Sequence, residues 1–223
     1  MKFAVKVVMV DLDGTLIHTA PEIAVAANEM LKALDFAPLH LELVESYIGN
    51  GVQVLVTRCL TATLGAEPDA DLFERAEQLF FAHYANNAHQ SKPYAGVQDG
   101  LQAISDAGFR LACVTNKPEK FTLPLLKHSG LHDFFEMVVS GDTLAKKKPD
   151  PIQLQHICAK FDVLTAQAML VGDSATDIAA AQAAGCFIVT VPYGYNQGKP
   201  LDVSKVDATI NDLTELTALL DKT

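Results

Sequence analysis

From Val5 to Val10 the chain is a nearly continuous apolar, β-branched run that ends in Asp11, the look of a strand buried on both faces of a parallel sheet. Arg110 to Val114, Met137 to Ser140, Ala168 to Val171 and Phe187 to Val191 repeat that character, and each borders a stretch with helical spacing. Alternation of this kind predicts an α/β domain. Pro118 and Pro151 mark helix starts, and Gly108, Gly130 and Gly185 stand where helices should stop. Between about Thr19 and Ser91 the alternation fails. There, apolar residues recur at helical intervals over Glu22 to Phe36, Gly51 to Leu64 and Asp71 to Ala88, with no convincing strand between them. This segment reads as a helical insert placed after the first strand, covering the edge where the parallel strands end.

Composition narrows the class. Apolar residues make up 49% of the 223 positions and charged residues 20%, which suits a buried core and not a disordered chain. No apolar run approaches the ~18 residues that cross a bilayer, and Met1 to Val10 carries no small-residue cleavage site. No membrane partner and a cytoplasmic location are therefore expected. Seventeen Lys and Arg against twenty-seven Asp and Glu give a formal charge of -10, which repels a nucleic-acid backbone unless a basic patch compensates. The run Lys146-Lys147-Lys148 is too short to supply one, so no nucleic-acid partner is expected. Cys59, Cys113, Cys158 and Cys186 lie far apart without metal-ligand spacing and read as reduced core residues. An amphipathic covering helix and a dimerisation helix look alike at this level, so the sequence assigns no oligomeric state.

The chemistry gathers at the strand ends. The first strand runs into Asp11-Leu12-Asp13-Gly14-Thr15-Leu16, and residues two apart on an extended chain point the same way, so two carboxylates face one site. Gly14 lets the backbone turn sharply at the carboxyl end of a parallel strand, where open α/β sheets place their ligands. Paired carboxylates repel unless a hard cation lies between them, and Mg²⁺ with oxygen ligands and a substrate phosphate is the natural choice.

Asp11-x-Asp13-Gly14-Thr15 resembles the first signature of the haloacid dehalogenase-like hydrolases, and three further stretches resemble the remaining signatures in order. These are Thr115-Asn116 after the second core strand, Lys148 followed by Pro149-Asp150-Pro151, and Gly172-Asp173-Ser174-Ala175-Thr176-Asp177 after the strand ending at Val171. The resemblance covers Val5 to Val191. It implies a Rossmann-like parallel-sheet core domain, residues 1-18 and 92-223, with an inserted helical cap domain over 19-91. It also implies that Asp11 is the nucleophile and Asp13 the acid-base. Asp13 would give its backbone carbonyl to the metal as well. Thr115 and Asn116 would hold the phosphoryl group, Lys148 would neutralise charge between nucleophile and phosphate, and Asp11, Asp13, Asp173 and Asp177 would form the Mg²⁺ site. Asp173 is the expected direct ligand, and Asp177 the one acting through water or neighbouring groups. A carboxylate can attack phosphorus and leave again as an acyl phosphate, splitting one displacement into two.

Within the insert, Gly49-Asn50-Gly51 precedes a helix whose amides could face an anionic group, and Arg58 lies on that helix. Tyr47 to Leu60 and Val191 to Gly198 resemble bacterial phosphoglycolate phosphatases, which implies a small anionic phosphate ester, 2-phosphoglycolate, as substrate. Arg58 reads either as a surface ion pair or as a carboxylate ligand. Lys146 and Lys147 read as solvated charges. His18 stands where that subgroup often has an acidic residue, and reads as an exposed loop histidine. A phosphatase for another small ester or for pyrophosphate, or a sugar-phosphate mutase, would share the same core residues. A phospho-receiver module also places an Asp, a Thr and a Lys at strand ends, but has no place for the Asp11-Asp13 pair, the Gly172-Asp173 loop or the insert.

Overall fold

The computed structural model describes residues 2–87 and 90–222; Met1, Ala88, His89 and Thr223 lie outside the described residues, and with them the last position of the helix expected to end at Ala88. β1 (Phe3–Val5) and β2 (Val7–Val10) are separated by a bend at Lys6, so the opening apolar run is two short strands where one was expected. β3 (Ile17–His18) follows the turn after Asp13. Then α1 (Ala20–Ala33), α2 (Leu41–Glu45), α3 (Val52–Leu64) and α4 (Ala70–Asn87) succeed one another with no strand between them.

After β4 (Lys92–Pro93) helices and strands alternate. The elements are α5 (Val97–Asp106), β5 (Arg110–Val114), α6 (Glu119–His128), β6 (Met137–Val139), α7 (Ile152–Phe161), β7 (Ala168–Gly172), α8 (Ala175–Ala184) and β8 (Phe187–Thr190). β9 (Ala208–Thr209), a 3₁₀ segment (Leu213–Leu219) and β10 (Leu220–Lys222) complete the described chain. The short α2, β9 and β10 were not foreseen. Elements of two to five residues carry too few positions to display a period.

Six strands form one all-parallel sheet in the order β6-β5-β2-β7-β8-β9. β1 and β10 pair with each other, and β3 pairs with β4 in an antiparallel ladder at the root of the helical insert. β2 sits between β5 and β7 and is buried throughout. From β2 the chain builds outward through β5 and β6, then crosses back to β7 and builds the other way. Where the winding reverses, the loops leaving neighbouring strands part and open a crevice at their carboxyl ends. Asp11, the first residue past β2, lies there, its amide donating to Val171 O at 2.9 Å.

Alternate residues of β2 serve opposite layers, as the period of a strand requires. Val8 and Val10 pack with Leu101, Ile104, Leu213 and Leu216. Val7 and Met9 pack with Leu154, Ile157, Ile178 and Ala181. Helices α1 to α4 have a third core of their own, including Met30, Leu31, Leu60, Phe80 and Tyr84, which Phe121 and Tyr195 join from the sheet side.

Gly100 shows how tightly α5 lies on the closing 3₁₀ segment. A Cβ there would stand 2.6 Å from the carbonyl carbon of Leu213, and backbone cannot swing aside as a side-chain tip can. Alanine gains up to about 1 kcal/mol of helix propensity over glycine, whereas overpacking against rigid structure costs about 1–3 kcal/mol. Gly100→Ala should therefore lower stability by about 1–2 kcal/mol, read as a reduced urea midpoint with unchanged slope. A midpoint equal to wild type or higher would refute this packing argument.

Candidate active site

Three strand ends and one loop bring the charged residues together. Asp11 and Asp13 leave β2, Thr115 and Asn116 leave β5, Asp173 leaves β7, and Lys148 comes from the loop before α7. Gly14, with φ of +89°, makes the turn that separates Asp13 from the following ladder. A Cβ on it would stand 2.5 Å from Asp173 Oδ2, so the turn also needs glycine for space.

Lys148 is the central cation. It is buried, and its Nζ lies 2.8 Å from Asp11 Oδ1 and 2.7 Å from Asp177 Oδ1, while donating to Val114 O at 3.0 Å. Burial alone would depress its pKa, but Asp11 and Asp177 outweigh it and the net direction is upward, so the group stays an ammonium. Its backbone is held by Gln153, buried on α7, whose Oε1 accepts from Lys148 N at 3.0 Å. Gln153 Nε2 donates to Thr115 O and Ser140 O at 3.1 and 2.9 Å, so one amide ties the loop after β5 to both ends of the loop between β6 and α7.

The carboxylates are each oriented by neighbours. Asp13 Oδ1 accepts from the Lys117 ammonium at 2.9 Å and from the Thr19 hydroxyl at 2.7 Å. Asp173 accepts from Thr15 Oγ1 at 2.8 Å through one oxygen and from Tyr195 N at 2.7 Å through the other. Asp177 caps α8 in reciprocal fashion with Ser174, whose Oγ donates to Asp177 Oδ2 at 2.6 Å.

Carboxylate oxygens of Asp11, Asp173 and Asp177, all buried, lie within 4.8 Å of one another. Burial and the charges of Asp177 and Asp173 hold the Asp11 carboxyl well above the usual carboxylate range, against the pull of Lys148. Burial followed by the Asp177 charge raises Asp173 to about 7. An all-oxygen donor set with this unrelieved repulsion fits a hard divalent cation, which would restore the ionised forms.

Above the carboxylates is a cavity of about 40 Å³, room for roughly three water molecules. Its floor is Asp11, Asp13, Thr115, Asn116 and Lys117; its wall, from the helical insert and α6, is largely Ile23, Leu55, Phe80, Tyr84 and Phe121. Gly49 and Gly51 lie on its rim beside Val52, at the start of α3. Asn116 ties this rim to the floor: its Nδ2 donates to Gly49 O at 2.9 Å and to Lys148 O at 2.8 Å.

Two proposed ligand residues stand elsewhere. Asn50 is not among the cavity's lining residues; its Oδ1 accepts from Thr176 Oγ1 and Gln197 Nε2 at 3.0 and 3.3 Å, joining the insert to the loops after β7 and β8. Arg58 does not line the cavity either, and its guanidinium carbon lies 6.0 Å from the centre of the Tyr47 ring. Lys147 is less solvated than expected: it is half-buried, and its Nζ reaches across to Gln53 Oε1 on α3 at 3.4 Å. His18 is exposed, as expected, with Nδ1 at 3.1 and 3.2 Å from the hydroxyls of Tyr94 and Tyr195. The four cysteines are buried free thiols.

Lys117, Thr19, Thr15, Tyr195 and Gln153 are the site's unforeseen members. Thr15 belongs to the first signature and Lys117 follows Thr115-Asn116 directly, so adjacency could have flagged both. A buried glutamine in an amphipathic helix has no comparable mark.

The model of the family described as haloacid dehalogenase-like hydrolase matches residues 8–191. A phosphoglycolate phosphatase of Nitrosospira multiformis is 51% identical over 219 residues, covering 98% of this chain and 96% of that protein. Another, from Thiobacillus denitrificans, is 48% identical with the same coverage. Among solved structures, one described as a predicted phosphoglycolate phosphatase from Haemophilus somnus 129PT superposes with a TM-score of 0.91 at 34% identity, over 96% of this chain and 97% of that one. With a match running from β2 to just past β8, and relatives near half identical along almost the whole length, the chain belongs to the haloacid dehalogenase-like hydrolases.

Proposed function

We propose that the protein is a Mg²⁺-dependent phosphatase that converts 2-phosphoglycolate to glycolate and phosphate through an aspartyl-phosphate. The observation that carries this reading is the small cavity set directly on Asp11, Asp13 and Thr115, with Lys148 and Asp173 close beside Asp11. A small, largely apolar cavity beside these carboxylates suits a small phosphate ester. The near-full-length relatives named phosphoglycolate phosphatase point the same way.

In the first half-reaction the Asp11 carboxylate attacks phosphorus, the bond from phosphorus to the glycolate oxygen breaks, and protonated Asp13 delivers its proton to that oxygen. In the second, Asp13 takes a proton from water as the water oxygen attacks the same phosphorus. The bond to Asp11 breaks, and phosphate and the free carboxylate are restored. Lys148 sits between Asp11 and Asp177 and stabilises charge on the transferring group, while the Thr115 hydroxyl faces it from β5. Thr19 and Lys117 orient Asp13.

The bound Mg²⁺ would be held by Asp11, Asp173 and the Asp13 backbone carbonyl, and supplies charge neutralisation for the phosphoryl oxygens. Asp177 already engages Lys148 and Ser174 through its two oxygens, which favours an indirect part. Residues 19–91 act as a cap that excludes water from the cavity, and residues 1–18 and 92–223 as the core that carries the reaction. Gly49 and Gly51 shape the rim of that cap, Asn50 fastens it to the core, and Arg58 supports it from Tyr47. A cytoplasmic setting accords with four free cysteines.

Phosphate release from a panel of small esters should be at least about tenfold faster in kcat/KM for 2-phosphoglycolate than for the next ester. It should vanish on chelation of Mg²⁺ and fall by at least ~10³-fold in Asp11→Asn. Full activity in Asp11→Asn would remove the nucleophile; a different leading ester would remove the substrate.

Gly194→Ala tests the carboxylate loop separately. A Cβ at Gly194 would run into the Asp173 side chain, so Asp173 must move. The variant should need more Mg²⁺ for half-maximal activity and lose on the order of 10²-fold in kcat, the scale of a misplacement near 1 Å. An unaltered Mg²⁺ requirement would argue against Asp173 as a ligand.

A further inference from the structure

Tyr84 is a buried polar side chain whose hydroxyl has Lys117 nearby but makes no well-formed hydrogen bond. It is 1% exposed, it lines the cavity from α4, and its hydroxyl has no hydrogen-bond partner among the described residues. Folded proteins rarely leave such a group unpaired, and an unmade hydrogen bond at the wall of a binding cavity points to a ligand that completes it. Lys117 stands beside it, with its ammonium 4.8 Å from the centre of the Tyr84 ring. It is the one cationic side chain among the described lining residues. Of its three N–H groups, the bond to Asp13 engages one.

A phenol and an ammonium are both hydrogen-bond donors. The remaining wall is apolar: Ile23, Leu55, Phe80 and Phe121 offer an anion nothing.

Resting on the 2-phosphoglycolate reading, we propose that the Tyr84 hydroxyl and the Lys117 ammonium form the subsite for the carboxylate of the leaving group, and so select phosphorylated small hydroxy acids over neutral esters of equal size. The phosphoryl end of the substrate is matched by Asp11, Thr115 and Lys148. The carboxylate end needs positive charge and hydrogen-bond donors within a two-carbon reach, and this pair supplies them at the edge of the same floor. A neutral alkyl group in that place would leave the phenol unpaired and the ammonium poorly solvated, a penalty that works against the wrong ester.

The test compares kcat/KM for 2-phosphoglycolate with that for ethyl phosphate, in which a methyl group replaces the carboxylate, in wild type, Tyr84→Phe and Lys117→Met at saturating Mg²⁺. Wild type should prefer 2-phosphoglycolate. In Tyr84→Phe the preference should shrink on the order of tenfold, the weight of one hydrogen bond to a charged acceptor, and mainly through KM. Its melting temperature should not fall, because the lost hydroxyl is unpaired in the free protein. Lys117→Met should shrink the preference too, on top of a slower rate with both esters because Asp13 loses its cationic partner and keeps only Thr19.

An undiminished preference in Tyr84→Phe, or equal losses with both esters, would overturn the assignment; equal losses would move the pair to the phosphoryl group instead. A wild type without preference for 2-phosphoglycolate would overturn the substrate reading itself, and the subsite with it. That outcome is visible before any variant is made.

Discussion

Buried like charges at the ends of β2 and β7 are the constraint around which this molecule is arranged. Two unit charges 4.8 Å apart at an effective dielectric constant near 20 repel by roughly 3 kcal/mol. That is a sizeable part of the stability of a typical domain. Lys148 makes the cluster tolerable by lying between Asp11 and Asp177, and an ammonium so placed must itself be fixed or the balance fails. Gln153 fixes it through the backbone and Val114 O through the head group. The relief is incomplete, since Asp11 and Asp173 still sit above the ordinary carboxylate range. A charge deficit that the fold maintains in its own interior is what a divalent cation and an anionic substrate jointly complete.

The helical layer changes the value of every one of these charges. By covering Asp11 and Asp13 with Ile23, Leu55, Phe80 and Tyr84 it lowers the local dielectric, so hydrogen bonds to developing charge count for more than in water. The same layer sets the size of what fits. Its contacts with the sheet combine apolar packing, through Phe121 and Tyr195, with hydrogen bonds at the rim from Asn116 to Gly49 and from Thr176 to Asn50.

Much of this was legible in the residues. The β2 run ending in Asp11 and the alternation from Arg110 to Val191 carried the parallel sheet, because strands buried on both faces are apolar throughout and announce themselves. The pairing of Asp11 with Asp13, and the distant Lys148 and Asp173, came from signatures in order along the chain. Part of what escaped had one physical character: residues whose importance lies in a partner far away in sequence. Lys117 reaches Asp13 across 104 positions, and Tyr195 reaches Asp173 across 22 and the Thr19 amide across 176. Arg58 was left open between a surface ion pair and a carboxylate ligand; its guanidinium lies by the Tyr47 ring and is not among the cavity's lining residues. Helical spacing says that a face exists without saying what it meets.

Tyr195 shows how the two layers are made to agree. Its backbone N–H donates to Asp173, while its phenol oxygen accepts from the amides of Thr19 and Ala20 at 2.7 and 3.0 Å, where α1 begins. The first amides of a helix have no partner within it, so a single buried hydroxyl serves as cap to the helix that leads into the insert. Thr19, whose amide it takes, sends its own hydroxyl to Asp13. Tyr195, in the loop after β8, thus orients Asp173, the entry of α1 and, through Thr19, Asp13. Because Gly194 packs its bare Cα against Asp173 just before it, no neighbouring side chain competes for that space. The position of the helical layer and the geometry of the charged floor are therefore one constraint, satisfied together or not at all.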